Sequence, residues 1–269
     1  MSHRLLILGC CLLPLFVQAS NRQCLRFDLH WQFKLCNDST TRHDIEGFRP
    51  MQIPHDWSIA LPFDIKVGGA AGYLPGGHGL YRKDFRLPVS IKPTDRTRLQ
   101  FDGVYHRATV WVNGHRVGYH MYGYTGFGFD ITPYLRRQGN NRIEVYVSRE
   151  EQSRWYTGSG IYRHVWLEVL PQTHIRENGV SVTTQSDGTV NADVAIDTAT
   201  VDREKRFKIV NRILDARGKK VPKVSERWSA DRPYLYTLIT ELKDSHGREI
   251  DQVRTRFGFR EIRFDADKG

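Results

Sequence analysis

Apolar and polar residues alternate with a period of two along much of the chain, the pattern of strands that bury one face and wet the other. Arg98-Leu99-Gln100-Phe101-Asp102 alternates in this way. So do Ala108-Thr109-Val110-Trp111-Val112, Arg142-Ile143-Glu144-Val145-Tyr146-Val147 and His164-Val165-Trp166-Leu167-Glu168-Val169. Asn113-Gly114 directly follows the second of these runs, and it predicts a tight hairpin because both central residues of a type I′ turn need positive φ. One helical turn is predicted over residues 130–135, with Thr132 as N-cap, Pro133 at the first helical position and Gly139 ending it. No long stretch carries the 3.6-residue period, which argues against an α/β fold.

Near Pro171-Gln172-Thr173 the character of the chain changes. A second series of short strands is predicted at 179–182, 190–196, 207–214 and 234–242, with turns at Asp215-Ala216-Arg217-Gly218 and Asp244-Ser245-His246-Gly247. Strands at this spacing suggest an immunoglobulin-like sandwich. The expected fold is all-β, with two domains meeting near residue 173.

Composition narrows the class. Hydrophobic residues make up 39%, enough for packed cores, and 26% charged residues fit a globular rather than a disordered chain. The net charge of +10 raises nucleic-acid binding as a question. Lys and Arg alternate with apolar residues, as in Lys83-Asp84-Phe85-Arg86 and Arg254-Thr255-Arg256-Phe257, so they are expected on the wet faces of strands. No block of five or six like charges occurs, and no nucleic-acid partner is expected.

Residues 1–19 read as a signal peptide: Met1-Ser2-His3-Arg4 supplies a positive start, Leu5 to Val17 an apolar run, and Val17-Gln18-Ala19 a cleavage site. A lipobox-like Ile7-Leu8-Gly9-Cys10 would leave too short an apolar core. The mature protein is therefore expected to be secreted or periplasmic, with no membrane partner, since no other stretch approaches spanning length. Cys24 and Cys36 remain after cleavage; they either pair in an oxidising compartment or stay as two thiols. Two cysteines are no metal signature, and neither a metal nor a cofactor is expected.

Several features invite a chemical reading and most lose it. Glu150-Glu151 are neighbours that would face opposite sides of a strand, so they cannot flank one bond. His55-Asp56 looks like a dyad, but Asp56 is better placed to cap the following turn and His55 to pack beside Trp57. The glycines from Gly68 to Gly79 lack a Gly-Lys-Ser/Thr ending and a following helix, which leaves a loop on the sandwich edge. Two loops remain. One, from Glu151 to Ile161, sets Arg154, Trp155 and Tyr156 beside small residues, and a cation with two aromatic faces suits a sugar ring. The plainer reading is that Trp155 packs a domain interface. The other loop, Tyr119 to Phe127, is rich in aromatics that serve equally well as core or subunit contacts.

Six phrases occur in order: Pro54-His55-Asp56-Trp57-Ser58-Ile59; Gly79-Leu80-Tyr81-Arg82-Lys83-Asp84-Phe85; Phe101-Asp102-Gly103-Val104 with Val110-Trp111-Val112-Asn113-Gly114; Ser153-Arg154-Trp155-Tyr156-Thr157-Gly158-Ser159-Gly160-Ile161-Tyr162-Arg163; Trp228-Ser229-Ala230-Asp231-Arg232-Pro233-Tyr234-Leu235-Tyr236; and Phe257-Gly258-Phe259-Arg260-Glu261-Ile262. This set resembles the N-terminal half of family 2 glycoside hydrolases, above all the β-galactosidase branch, over about residues 25–269. The resemblance implies a jelly-roll sugar-binding domain (20–173), then an immunoglobulin-like domain (174–269), then a catalytic (β/α)₈ barrel that these residues do not include. It also implies a retaining O-glycosyl hydrolase with two glutamates about 5 Å apart on the barrel. The family's acid/base glutamate follows an Asn, and no Asn-Glu dipeptide occurs here, so no catalytic residue is assigned. The implied partners are a β-galactoside-type carbohydrate and the barrel. Arg154, Trp155 and Tyr156 are the implied substrate-binding residues, on a loop that reaches toward the active site. An exposed apolar surface is expected where the barrel docks. One departure stands out: Val221 to Arg227 is too short for the strands the family has there, so the second domain is expected to be incomplete. A stand-alone carbohydrate-binding protein is the alternative, and an adhesive sandwich without sugar affinity a weaker third.

Overall fold

The computed structural model describes residues 21–38, 46–88, 90–150, 154–198, 206–262 and 264–267. The signal-peptide reading of residues 1–19 lies outside them. Ten strands build the first sandwich: β1 (Gln23–Arg26), β2 (Trp31–Cys36), β3 (Arg49–Met51), β4 (Gly77–Phe85), β5 (Arg96–Phe101), β6 (Ala108–Val112), β7 (His115–His120), β8 (Phe127–Asp130), β9 (Asn141–Arg149) and β10 (Val165–Leu170). They form a six-stranded sheet, β3-β2-β4-β9-β6-β7, and a four-stranded sheet, β1-β10-β5-β8. Every pairing is antiparallel.

The alternation in the sequence determines which side chains meet between the sheets. The larger sheet sends in Trp31, Phe33, Tyr81, Val110, Val145 and Val147; the smaller sends in Leu99, Phe101, Phe127, Val165 and Leu167. Asn113 and Gly114 have φ of 50° and 85°, the geometry the tight turn requires, and Val112 pairs with His115 across it. Among the described residues there is no α-helix, only 3-10 turns such as Ser58–Ala60 and Thr132–Tyr134.

The helical turn departs from its expected form. Asp130 Oδ1 accepts from the Thr132 backbone N–H at 2.9 Å, while Thr132 Oγ1 accepts from the Thr97 N–H of β5 at 2.8 Å. Aspartate therefore starts the turn, and threonine ties it to the neighbouring strand. The turn is already extended at Leu135, well before Gly139. Lys83 also departs from its expected wet face. It is 6% exposed, its ammonium donates to the Leu29 carbonyl and lies 4.4 Å from the centre of the Phe27 ring. The glycine-rich run is a loop only in part: Gly77 opens β4, so the run ends in the sheet.

The second sandwich comprises β11 (His174–Thr184), β12 (Val190–Asp197), β13 (Lys208–Leu214), β14 (Lys220–Val221), β15 (Tyr236–Lys243) and β16 (Glu249–Phe257). Its sheets are β14-β13-β15-β16 and the pair β11-β12. Residues 222–235 contain no strand. That stretch is held instead by Tyr236, whose hydroxyl accepts from the Ser225 and Glu226 N–H groups at 3.0 and 2.8 Å. Two of the sequence phrases meet at the end of this unit: Trp228 N–H donates to the Phe259 carbonyl at 2.7 Å, and the Arg260 guanidinium lies 5.0 Å from the Trp228 ring.

Candidate functional site

Asp56 is the anchor of the site. The cis Ile53-Pro54 bond precedes it, and its Oδ1 accepts from Ser58 N–H, the capping role expected of it, at 3.0 Å. The same oxygen accepts from Ser159 N–H at 3.0 Å, and Oδ2 accepts from the Tyr156 hydroxyl. One carboxylate therefore joins the 3-10 turn at Ser58 to the loop before β10. Beneath it lies Arg149, 2% exposed, whose Nη1 donates to Ser58 Oγ and Ser159 Oγ at 3.2 and 3.3 Å and to the carbonyls of Leu74 and Pro75. Its guanidinium also lies 5.6 Å from the centre of the Tyr156 ring. Burial, reinforced by the bond to Asp56, pushes the Tyr156 phenol far above its ordinary range, so it stays a neutral donor.

Tyr156 is thus a positioning residue, half-buried with its hydroxyl turned inward. Trp155 is 58% exposed and donates from Nε1 to the Tyr124 hydroxyl at 2.9 Å. Tyr124 packs edge-on against Tyr122 at 5.7 Å and Tyr105 at 5.4 Å. Tyr162 donates to the Gly123 carbonyl at 2.8 Å, and Tyr105 and Gly160 exchange backbone hydrogen bonds. The two loops that the sequence singled out separately are one surface. Its exposed members are Trp155, Tyr119, Met121, Tyr122 and Tyr124. Arg154 is exposed and makes no hydrogen bond or ion pair among the described residues.

A Cβ on Gly123 would lie 2.1 Å from the Tyr105 ring, so only glycine lets the 119–127 loop close on Tyr105. The alternation pattern gives no sign of Asp56 as a bridge or of Arg149 as a buried clamp, because both depend on contacts across about 90 residues of chain or more.

His55 and Trp57 line one pocket, and both rings contact Phe33. The His55 ring lies 4.6 Å from Phe33, and Nδ1 is 2.8 Å from the hydroxyl of the fully buried Tyr81. Phe33 in turn stacks on Trp57 at 5.7 Å. Burial lowers the His55 pKa, against the raising effect of Asp56. Glu150 Oε1 lies 3.0 Å from His78 Nε2; Glu151 lies outside the described residues. Cys24, exposed on β1, and Cys36, at the end of β2, lie on different sheets and form no disulfide. A second exposed apolar patch holds Ile59, Phe63 and Ile65 on the turns that follow Asp56. The buried carboxylates Asp28, Glu144, Glu241 and Asp251 are each ion-paired, to Arg26, Arg82, Arg212 and Arg22.

Two family models match the chain. Residues 48–171 match the sugar binding domain of glycosyl hydrolases family 2, and residues 173–260 match a second domain of glycosyl hydrolases family 2. The chain belongs to glycosyl hydrolase family 2. It is 33% identical to the β-galactosidase BoGH2A of Bacteroides ovatus, over 93% of this chain and 33% of that protein. It is 25% identical to a β-glucuronidase of Formosa agariphila, over 94% of this chain and 31% of that one. A β-glycosidase of Bacteroides vulgatus superposes with a TM-score of 0.80 at 31% identity, over 90% of this chain and 34% of that structure. The chain thus spans about a third of the length of these family 2 relatives. The BoGH2A alignment runs over 287 positions on 93% of 269 residues, so that relative carries residues with no counterpart here.

Proposed function

We infer that this chain serves a secreted or periplasmic family 2 glycoside hydrolase of the β-galactosidase type as its carbohydrate-positioning front portion. In this role it presents sugar to a catalytic barrel and does not itself cleave the glycosidic bond. The observation that carries the reading is the joining of the two aromatic loops through Trp155 Nε1 and the Tyr124 hydroxyl. Exposed aromatic faces held rigidly, with phenol and indole groups at their rims, stack on the apolar face of a pyranose and hydrogen-bond its hydroxyls. Trp155 supplies the stacking face, Arg154 an exposed donor for ring hydroxyls, and Tyr156 the tether that anchors their loop through Asp56.

Glycoside hydrolysis with retention needs two carboxyl groups about 5 Å apart, one free to attack and one to protonate. The ion-paired carboxylates of this chain are spent on structure. The patch of Ile59, Phe63 and Ile65 is the surface that the remainder of the enzyme covers, since large exposed apolar patches mark contacts. The test pairs an assay with a titration. The purified chain is expected to release no p-nitrophenol from a p-nitrophenyl β-galactoside while giving a saturable calorimetric isotherm with β-galactobiose. Turnover by the chain, or the absence of any isotherm at millimolar sugar, overturns the reading.

A further inference from the structure

The second sandwich has a groove of its own, remote in sequence from the Trp155 platform. A cavity of about 560 Å³ lies between the Asp215–Gly218 turn, the segment around Tyr234, and strands β15 and β16. A neighbouring cavity of about 330 Å³ shares Asp215, Ala216, Arg232 and Tyr234 with it, so the two form one trough. We propose that this trough binds the anionic group of an acidic glycan, a carboxylate or a sulfate ester carried on a sugar ring.

Its charge is the first ground. Arg232, Arg254 and Arg256 line the larger cavity against a single carboxylate, Asp215. Asp215 Oδ1 is committed to its own turn, where it accepts from the N–H groups of Arg217 and Lys219 at 2.9 and 2.8 Å. Arg232 is ion-paired with Glu226 at 3.2 Å. Arg254 and Arg256 are exposed, and their side chains make no hydrogen bond or ion pair among the described residues. They stand two residues apart on one face of β16, which places them about 7 Å apart. Across the sheet Arg254 pairs with Ile239, and Arg256 with Thr237 and, beyond it, Leu214. Two unneutralised cations side by side repel each other, and an anion lodged between them removes that cost. Guanidinium forks match the paired oxygens of a carboxylate or sulfate and hold them bidentately.

The rest of the trough indicates that the anion comes attached to a ring. Tyr234 offers an aromatic face with the Arg232 guanidinium 6.0 Å from its centre, and Leu214, Pro233 and Leu235 make an apolar floor. A bare inorganic anion would use none of this, whereas a sugar bearing an acid group uses both parts.

Calorimetric titrations in the Trp155→Ala background remove the platform as a competing site. The probes are tetragalacturonate, a sulfated galactan tetrasaccharide and neutral galactotetraose. At least one acidic probe is expected to bind saturably and the neutral one not to bind; which acidic probe binds identifies the anion. The double substitution Arg254→Ser/Arg256→Ser is expected to weaken binding by about tenfold or more. Lys66→Ser/Arg116→Ser removes the same charge from exposed positions of the first sandwich and is expected to leave the affinity unchanged. Circular dichroism melts confirm that the variants remain folded. Failure of both acidic probes, equal binding of the neutral one, or equal weakening by the two double substitutions overturns the proposal. All three readouts are independent of the Trp155 result.

Discussion

Asp56 illustrates how one side chain sets the geometry of a surface it does not reach. It satisfies two backbone N–H groups and one phenol. Its removal in Asp56→Ala strands those donors in part-buried positions, each costing about 1–3 kcal/mol. Urea unfolding is expected to show a loss of about 3 kcal/mol or more for Asp56→Ala and about 1 kcal/mol for Tyr156→Phe, which removes a single bond. Equal and negligible losses would contradict the anchoring role. His55 provides a pH signature. Burial holds its folded pKa below the ordinary 6.5, and burial does the same to His174. The unfolded chain therefore takes up these protons first as pH falls, so their stabilisation is present above about pH 6.5 and is lost below it. Melting temperature is expected to drop between pH 7 and pH 5, with a shallower slope in His55→Gln; an unchanged slope would show that His55 does not contribute.

Strands and the hairpin were legible as elements because their determinants are local. Alternation marks β5, β6, β9 and β10, and the Asn113-Gly114 dipeptide carries its own turn geometry. The contacts between loops were not legible. Nothing in the order Trp155-Tyr156 shows that one ring faces solvent and the other faces Asp56, and nothing in Tyr119–Phe127 shows that Tyr124 meets Trp155. Lys83 reads as a wet strand position because alternation cannot register that its ammonium finds a carbonyl and an aromatic face inside. Joining of the loops makes its own prediction. In Gly123→Ala the new methyl group must displace the Tyr105 ring, an overpacking that costs about 1–3 kcal/mol. Sugar affinity is expected to fall with stability, since Tyr124 moves with the loop. A variant with native stability and affinity would show that the loop closes without that contact.

On the scale of the whole chain, the two sandwiches are joined through buried charge. Arg22, at the start of the first sandwich, donates to Asp251 of β16 at 2.8 and 3.0 Å and to the Ile175 carbonyl of β11 at 2.5 Å. Asp251 is fully buried and also accepts from the Ile175 N–H. Removing one partner of such a pair leaves a buried charge uncompensated, so Asp251→Ala is expected to cost about 3–5 kcal/mol in denaturant unfolding. A loss below about 1 kcal/mol would mean that the sandwiches are coupled by other contacts. The coupling ties the strand ends of the second sandwich to the N-terminal edge of the first. The carbohydrate role of the Trp155 platform is tested most directly by titrating intrinsic fluorescence with a galacto-oligosaccharide, in the native chain and in Trp155→Ala. The native chain is expected to show a saturable change that Trp155→Ala abolishes without a shift in melting temperature, because the indole is exposed. No saturable change in the native chain, or an identical change in the variant, would contradict it.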